Sequence, residues 1–168
     1  MNLARLIRPE LVKLELETKN PPHEDPPLPP ERYVWTVKEG ILSELAELIA
    51  TGGRVGNANK LYQDLLNREK KASTGLVRGI AIPHVRTVNA RELIFGFARS
   101  TPGVEFDCLD GDPAHLFFII LAPPYDDALY LRIYKQMATA FHSTDVREEF
   151  LAAKDAGEVI RAMKLMGD

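Results

Sequence analysis

The hydrophobic positions of this chain follow two patterns, one repeating every three to four residues and one of short continuous runs. The first pattern predicts amphipathic helices and the second predicts buried strands. Helices that alternate with strands along a chain predict an α/β fold. Helices are expected at residues 36–53, 59–68 and about 129–140, and after Asp145 and Asp155, which would cap them; strands are expected at 80–82, 93–98, 104–106 and 116–122, with a turn at 101–103.

The N-terminal segment mixes both patterns. Leu3, Leu6 and Ile7 suit one face of a short helix, whereas residues 13–17 alternate as a strand does. We therefore expect a short helix that is followed by a strand before residue 18.

A proline-rich stretch interrupts the periodic pattern. Residues 20–30 contain six prolines, which exclude a helix or a central strand there. The pattern predicts an extended surface loop at about 19–35. Thr36, with Glu39 three residues later, has the spacing of a capping box and is expected to open the first long helix.

Composition places the chain among ordinary globular proteins. Its 168 residues are 45% hydrophobic and 27% charged, which suits one folded domain over residues 1–168. The longest apolar run, residues 116–122, is much shorter than a membrane span, and charges interrupt the N-terminus where a signal peptide would be apolar. The single Cys108 excludes an internal disulfide and suits a reducing compartment. We expect a cytoplasmic protein that does not insert into a membrane.

The net charge of −3 is unevenly distributed. Residues 60–99 carry eight Lys or Arg and three Asp or Glu, so this segment has a charge of +5 and the rest of the chain −8. A basic neighbourhood suits a transient phosphate group and is equally typical of a solvated surface. Because the protein is acidic and lacks a basic stripe with interleaved aromatic residues, we do not expect it to bind nucleic acid.

One histidine follows a buried run in a position that suits chemistry. Residues 79–84 are Gly-Ile-Ala-Ile-Pro-His. Pro83 cannot donate to a sheet ladder, so the strand is expected to end there and to leave His84 at its mouth, where α/β folds often place active sites. A neutral imidazole is nucleophilic near pH 7 and can accept a phosphoryl group.

Residues upstream of His84 have the chemistry to complete such a site. Arg68 offers a guanidinium fork for phosphate, and Ser73 and Thr74 offer hydroxyl groups. Arg68 also lies at the expected end of a helix, where a cation interacts favourably with the helix dipole. Its position is therefore consistent with a binding role and with a structural one.

The other histidines and the cysteine have simpler explanations. His115 begins a strand and is expected to satisfy a backbone group, His142 lies at a helix end, and His23 is expected to be solvated in the proline-rich loop. No histidine pair has the spacing of a metal site. Cys108 is expected to be a small buried hydrophobic residue.

The segment from Arg68 to His84 resembles the phosphorylation site of enzyme IIA domains of the fructose, mannitol and nitrogen-regulatory type. These domains belong to the bacterial phosphoenolpyruvate-dependent phosphotransferase system (PTS). The resemblance covers most of the chain outside about 19–35. Its motifs are Arg-Glu at 68–69, Ser-Thr-Gly at 73–75, Gly-Ile-Ala-Ile-Pro-His at 79–84, the segment 106–113 with the apolar strand after it, and the helix ends at 150–153 and 159–160.

The resemblance implies a fold, a role and partners. The fold would be a single-domain α/β structure with a mixed β-sheet and helices on both faces. His84 would be the phosphorylated residue and Arg68 its supporting cation, with Ser73 and Thr74 assisting. The phosphoryl donor would be the carrier protein HPr or its nitrogen-branch relative. The phosphate would pass to a cysteine of a IIB component, or the phosphorylation state would itself be a signal. No metal or organic cofactor is implied, because phosphate moves between protein side chains.

Three residues depart from the family pattern. Tyr130 stands where many members have a histidine that hydrogen-bonds the active one, Val77 replaces a usual glycine, and Val85 replaces a usual small residue. A tyrosine hydroxyl can donate a hydrogen bond but titrates near ~10, so it cannot shuttle protons as histidine does; its ring can equally serve packing alone. Tyr130 and Val77 favour an alternative function, a transfer-impaired IIA-like regulatory protein that acts by binding other proteins. An unrelated histidine-dependent hydrolase is less favoured, because the chain has no Gly-x-Ser-x-Gly motif.

Overall fold

The longest apolar run of the chain forms the central strand of the sheet in the computed structural model, which describes residues 1–167. The sheet pairs this central strand antiparallel on one side and parallel on the other, so it is mixed. Within residues 1–167 the strand order is β1-β4-β5-β2, and β3 also pairs with β5. The strands are β1 (Ile7–Lys13), β2 (Ile80–Ala81), β3 (His84–Arg86), β4 (Ile94–Val104) and β5 (Ala114–Ala122).

Helices cover both faces of this sheet, as the resemblance implied. In residues 1–167, α1 and α2 share one hydrophobic cluster with the sheet, and α3, α4 and α5 share the other. Within this part of the chain, no helix is both long enough and apolar enough to cross a lipid bilayer. The helices are α1 (Pro30–Thr51), α2 (Ala58–Lys71), α3 (Asp127–Ala140), α4 (Thr144–Ala152) and α5 (Ala156–Lys164), and a 3-10 turn at Leu3–Arg5 precedes β1.

The central strand β5 explains why the sheet needs helices on both sides. From Leu116 to Ala122 its residues point alternately to opposite faces, and both sets are apolar and buried. Phe117, Ile119 and Leu121 join the cluster under α1 and α2. Phe118 and Ile120 join the opposite cluster, under α3 to α5. A strand of this kind must be buried on both faces, which the continuous apolar run indicated.

The predicted strand at 13–17 is wrong. The strand lies at Ile7–Lys13 and pairs in parallel with β4, which buries Ile7 and Leu11. Pro9 is tolerated inside it because β1 is an edge strand of the sheet. Burial against a neighbouring strand thus overrides the local alternation on which the prediction rested.

The proline-rich loop is shorter than predicted, because α1 begins at Pro30 and not at Thr36. A proline is tolerated in the first turn of a helix, where its missing N–H has no helical acceptor. Thr36 therefore lies inside the helix, and its hydroxyl donates to the carbonyl oxygen of Arg32 at 3.0 Å, so the predicted capping box does not form. In the loop, the exposed ring of His23 stacks on Tyr33 with the ring centroids 4.7 Å apart. His23 is therefore exposed to solvent as expected, and its ring also packs against Tyr33.

Residues 101–103 do not form the predicted turn but lie within β4. The register of β4 against β5 shifts between Arg99 and Val104, which is the mark of a bulge. Gly103 adopts a φ of +81° there. His115 holds the bulge, since its Nδ1 lies 3.2 Å from the carbonyl oxygen of Thr101, a backbone contact of the kind predicted for it.

The two predicted caps near the C-terminus have different outcomes. Asp145 does not cap α4; Ser143 occupies the N-cap position and Asp145 lies in the first helical turn. Asp155 caps α5 as predicted, and its carboxylate accepts a hydrogen bond of 2.8 Å from the backbone N–H of Glu158.

Gly103, in the bulge of β4, is predicted to be unusually sensitive to substitution. A Cβ on Gly103 would lie 2.7 Å from Cε1 of His115, on a backbone that side chains rarely adopt. Gly53 has a similar φ of +74° but nothing within 4 Å of a new Cβ, so it is a matched control. By chemical denaturation, Gly53→Ala should lower the free energy of unfolding by about 1 kcal/mol and Gly103→Ala by roughly 2 kcal/mol or more. Equal losses would mean that the bulge has room for the methyl group.

Candidate active site around His84

The predicted strand end at Pro83 is only partly correct. Pairing with β5 stops after Ala81 and resumes at His84, which lies opposite Ile120, and the register is unchanged across the gap. Pro83 lacks an N–H but still accepts a hydrogen bond of 3.0 Å from the backbone N–H of Ile120. His84 is therefore built into the sheet margin and does not lie beyond the strand end.

Two hydrogen bonds define the chemical state of the His84 ring. Its Nδ1 lies 2.6 Å from the carbonyl oxygen of Ile82, which can only accept, so Nδ1 carries the proton. Its Nε2 lies 3.2 Å from Nη2 of Arg68, which can only donate, so Nε2 presents its lone pair. The ring is held as the Nδ1–H tautomer with a nucleophilic Nε2.

Arg68 combines the two roles that its sequence position suggested. Its Nη1 donates to the carbonyl oxygen of Ala72 at 3.0 Å, and Ala72 is the C-cap of α2. Its Nη2 faces His84. The helix end therefore holds the guanidinium beside the imidazole.

His84 and Arg68 both line a depression of about 610 Å³. Cationic, amide and aromatic side chains share its wall with one carboxylate. The lining residues are Asp64, Asn67, Arg68, Lys71, His84, Val85, Arg86, Pro124 and Tyr130.

Two tyrosines of α3 contact the His84 ring. Tyr130 lies tilted with its ring centroid 5.2 Å from the imidazole, and Tyr134 meets it edge-on at 5.6 Å. No hydrogen bond to the Tyr130 hydroxyl occurs within residues 1–167. Sequence reasoning did not identify Tyr134, although its spacing of four residues from Tyr130 on one helix face was a usable signal.

The hydroxyl groups of Ser73 and Thr74 form hydrogen bonds with groups other than His84 and Arg68. Ser73 Oγ lies 2.7 Å from the carbonyl oxygen of Asp107, to which it donates. Thr74 Oγ1 donates to Oε2 of Glu69 at 2.6 Å. The structure therefore brings His84, Arg68 and Tyr130 together, whereas the hydroxyls of Ser73 and Thr74 bond Asp107 and Glu69.

The chain matches the family model described as "Phosphoenolpyruvate-dependent sugar phosphotransferase system, EIIA 2" over residues 33–165. The chain belongs to this EIIA family.

Curated relatives include both sugar-specific and regulatory proteins. The chain is 38% identical over 70% of its length to the fructose-specific EIIA component of Haloferax volcanii, and covers 76% of that protein. It is 34% identical over 71% of its length to the nitrogen regulatory protein of Pseudomonas aeruginosa, and covers 77% of it. It is 28% identical over 95% of its length to the fructose-specific EIIABC component of Bacillus subtilis, but spans only 22% of that protein.

Solved structures show the same fold. Nitrogen regulatory protein IIA-Ntr from Neisseria meningitidis superposes with a TM-score of 0.80 at 25% identity, over 96% of this chain and 98% of that one. The mannitol IIA protein of Escherichia coli superposes with a TM-score of 0.71 at 21% identity, over 94% of this chain and 98% of that one. The mannitol protein has also been solved with phosphorylated enzyme IIB of the same system (TM-score 0.69, 22% identity, 94% of this chain and 96% of that one). The predicted mannitol-type fold is confirmed.

The surroundings of His84 in this EIIA protein keep the imidazole neutral. Burial lowers the pKa of His84, and the Arg68 cation lowers it further. The hydrogen bond to the Ile82 carbonyl and the Glu69 carboxylate raise the pKa, but the net shift is downward from the ordinary value of 6.5. At neutral pH the ring is therefore uncharged and nucleophilic.

We expect His84 to titrate below pH 6.5, and Arg68→Gln to raise its pKa because a cation that opposes imidazolium formation is lost. Ring resonances followed by NMR against pH measure both. Because the pKa of His84 is lower in the folded protein than in the unfolded chain, the unfolded chain protonates this ring more readily as the pH falls. The contribution of His84 to the free energy of unfolding is therefore fully present above about pH 6.5 and declines as the pH falls toward the lower folded pKa. A midpoint above 6.5 in the wild type, or a lower one in Arg68→Gln, would contradict this electrostatic account.

Proposed function

We propose that this EIIA protein is a histidine phosphocarrier of the phosphoenolpyruvate-dependent PTS that accepts a phosphoryl group on Nε2 of His84. The observation that carries the proposal is the state of the ring. Nδ1–H is committed to the Ile82 carbonyl at 2.6 Å, which leaves Nε2 as the nitrogen with the lone pair, 3.2 Å from Arg68 Nη2, and both residues line the depression. We propose that residues 1–168 form one EIIA domain that acts in the cytoplasm, without a metal or organic cofactor.

The transfer step balances without an external acid or base. As the donor docks, the Arg68 N–H that bonds Nε2 shifts to a phosphoryl oxygen and frees the Nε2 lone pair. That lone pair attacks the phosphorus of a phosphohistidine on the donor protein, and the donor P–N bond breaks as the new one forms. The donor ring, protonated on its second nitrogen, leaves as neutral imidazole. His84 becomes a phosphoimidazolium that keeps its proton on Nδ1, and this N–H still donates to the Ile82 carbonyl oxygen. That hydrogen bond disperses the positive charge of the ring.

Arg68 is placed to receive the phosphoryl oxygens. Its guanidinium already points at Nε2, and each charge-assisted hydrogen bond to a phosphoryl oxygen would contribute about 1.5–3 kcal/mol. Lys71 and Arg86 line the same depression and add positive potential. Arg86 also forms a salt bridge with Asp127 at the start of α3, which weakens its electrostatic attraction for the phosphate.

The partners would be proteins that dock over the depression. We infer that HPr or its nitrogen-branch relative donates the phosphate, with no nucleic acid or membrane surface involved. The structure of the mannitol IIA protein with phosphorylated IIB supports a IIB component as acceptor, for which we infer a cysteine as the receiving residue, and the nitrogen regulatory relative supports a signalling output. Exposed apolar side chains of Val88 and Tyr125 lie next to Pro124 at the rim and suit a protein surface.

The second candidate is the regulatory protein with impaired transfer. Tyr130 favours it, because a tilted aromatic ring occupies the position where many relatives have a histidine, and its hydroxyl makes no hydrogen bond to the imidazole. Such a protein would act by binding its targets through the same depression.

His84→Ala should abolish phosphorylation, because no other described group presents a comparable lone pair in the depression. The assay incubates the protein with phosphoenolpyruvate, enzyme I and HPr, or with the nitrogen-branch equivalents, and measures acid-labile phosphate. His142→Ala, which removes an exposed histidine outside the site, is the control and should label as the wild type does. Equal labelling of His84→Ala and wild type would falsify the proposal.

Tyr130→Phe should slow phosphorylation by less than about tenfold, because one neutral hydrogen bond to a phosphoryl oxygen contributes about 0.5–1.5 kcal/mol. Tyr130→His should match or exceed the wild-type rate, because it restores the group found in relatives. Single-turnover rates measure both variants. If Phe equals wild type and His gains nothing, Tyr130 serves packing alone. If only Tyr130→His accepts phosphate, the regulatory alternative is correct.

A further inference from the structure

A buried ion pair lies behind the active site and has no part in the transfer step described above. Nζ of Lys38, on α1, lies 2.8 Å from Oε1 of Glu69, in the last turns of α2. The two residues are 2% and 3% exposed. Apolar residues of similar volume often stabilise a core as well as a buried pair does, so stability alone does not account for this one.

Glu69 uses both carboxylate oxygens to clamp the loop that follows α2. Oε1 accepts the backbone N–H of Thr74 at 2.9 Å, and Oε2 accepts the Thr74 hydroxyl at 2.6 Å. Lys38 also donates to Ser73 Oγ at 3.2 Å, and its ammonium lies 4.9 Å from the ring centroid of Phe106. The pair therefore ties both helices to residues 73–74.

The clamped loop in turn holds the strand that carries His84. The carbonyl oxygen of Thr74 accepts the backbone N–H of Ile82 at 3.0 Å, and the next turn is braced by the N–H of Leu76, which donates to Ile80 at 2.8 Å. The carbonyl of the same Ile82 accepts Nδ1–H of His84. A continuous series of short hydrogen bonds thus runs from the buried carboxylate to the nucleophilic ring.

The pair also controls the direction of Arg68. Adjacent residues of a helix point about 100° apart, so fixing Glu69 toward the core directs Arg68 away from it, toward the imidazole. The ammonium of Lys38, 2.8 Å from Oε1, holds the Glu69 side chain inward. The same ion pair therefore restrains both members of the proposed phosphate site.

We propose that Lys38 and Glu69 are positioning residues that hold His84 as the Nδ1–H tautomer and keep Nε2 aimed at the depression. The expected effect of this pair on phosphoryl transfer rests on the function proposed above, whereas its expected effect on the ring does not. The state of the ring is a property of the unphosphorylated protein and can be measured without any partner.

The decisive variant is the double substitution Lys38→Met with Glu69→Met, which removes both charges and fills the space with apolar side chains. Thermal unfolding measures whether it folds, and ¹⁵N NMR of the His84 ring measures the tautomer. Thr74→Val, which removes only the clamped hydroxyl, covers the case in which the double variant does not fold, and Thr74→Ser is its conservative partner.

The chain contains a matched control for the clamp itself. Oε2 of Glu44, also on α1, accepts the backbone N–H of Thr18 at 2.8 Å and its hydroxyl at 2.5 Å, and Glu44 pairs with Lys13. None of these residues lines the depression. Thr18→Val should alter stability to a similar degree as Thr74→Val and leave the His84 ring unchanged.

We expect the double variant and Thr74→Val to give mixed ring tautomers, and phosphorylation slower by roughly ten- to a hundredfold in the double variant, in line with the cost of misplacing a reacting group. Thr74→Ser should restore the wild-type ring signals. Wild-type ring signals in both the double variant and Thr74→Val would overturn the proposal while leaving the phosphocarrier function intact. Altered ring signals, in a protein whose wild type accepts no phosphate, would support the positioning role and refute the function.

Discussion

The hydrogen bond from Nδ1 of His84 to the carbonyl oxygen of Ile82 spans 2.6 Å and joins the ring to its own chain two residues back. It depends on the interruption at Pro83, where the strand leaves the ladder for two residues and then resumes in the same register. Because the carbonyl can only accept, the proton stays on Nδ1 and Nε2 becomes the nucleophile. A backbone carbonyl therefore determines which ring nitrogen carries the proton, a role that a side-chain carboxylate has in many other histidine sites.

The charges around the ring suit a phosphate that must both arrive and leave. Burial and Arg68 lower the pKa of His84, so the ring is neutral at neutral pH. Within the described residues, one guanidinium contacts Nε2 directly, Lys71 and Arg86 line the same depression, and two carboxylates oppose these cations: Asp127 pairs with Arg86 and Asp64 lines the wall. For the phosphocarrier that we propose, such a site would attract a dianionic group through its cations, and the nearby carboxylates would limit how tightly the group is held.

Sequence patterns were sufficient for the sheet centre and for the grouping of His84, Arg68 and Tyr130, and insufficient where long-range contacts decide. The apolar run of β5 and the motif ending at His84 are both readable from neighbouring residues alone. The structure confirms that the apolar run is a buried strand inside the sheet. Pro30 misled the prediction because proline is excluded from a helix interior but favoured in a first turn, and only the three-dimensional packing shows which applies. Lys38 could not be identified, because a lysine in a helix is normally exposed and its burial depends on Glu69, 31 residues away.

The identity of the phosphorylated ring nitrogen tests the central claim most directly. The protein is labelled with ¹⁵N in its histidine rings, phosphorylated through the PTS relay, and examined by ³¹P and ¹⁵N NMR. The account predicts phosphate on Nε2 of His84, with Nδ1 still protonated and hydrogen-bonded. Phosphate on Nδ1 would require the bond to the Ile82 carbonyl to break, and would contradict the account.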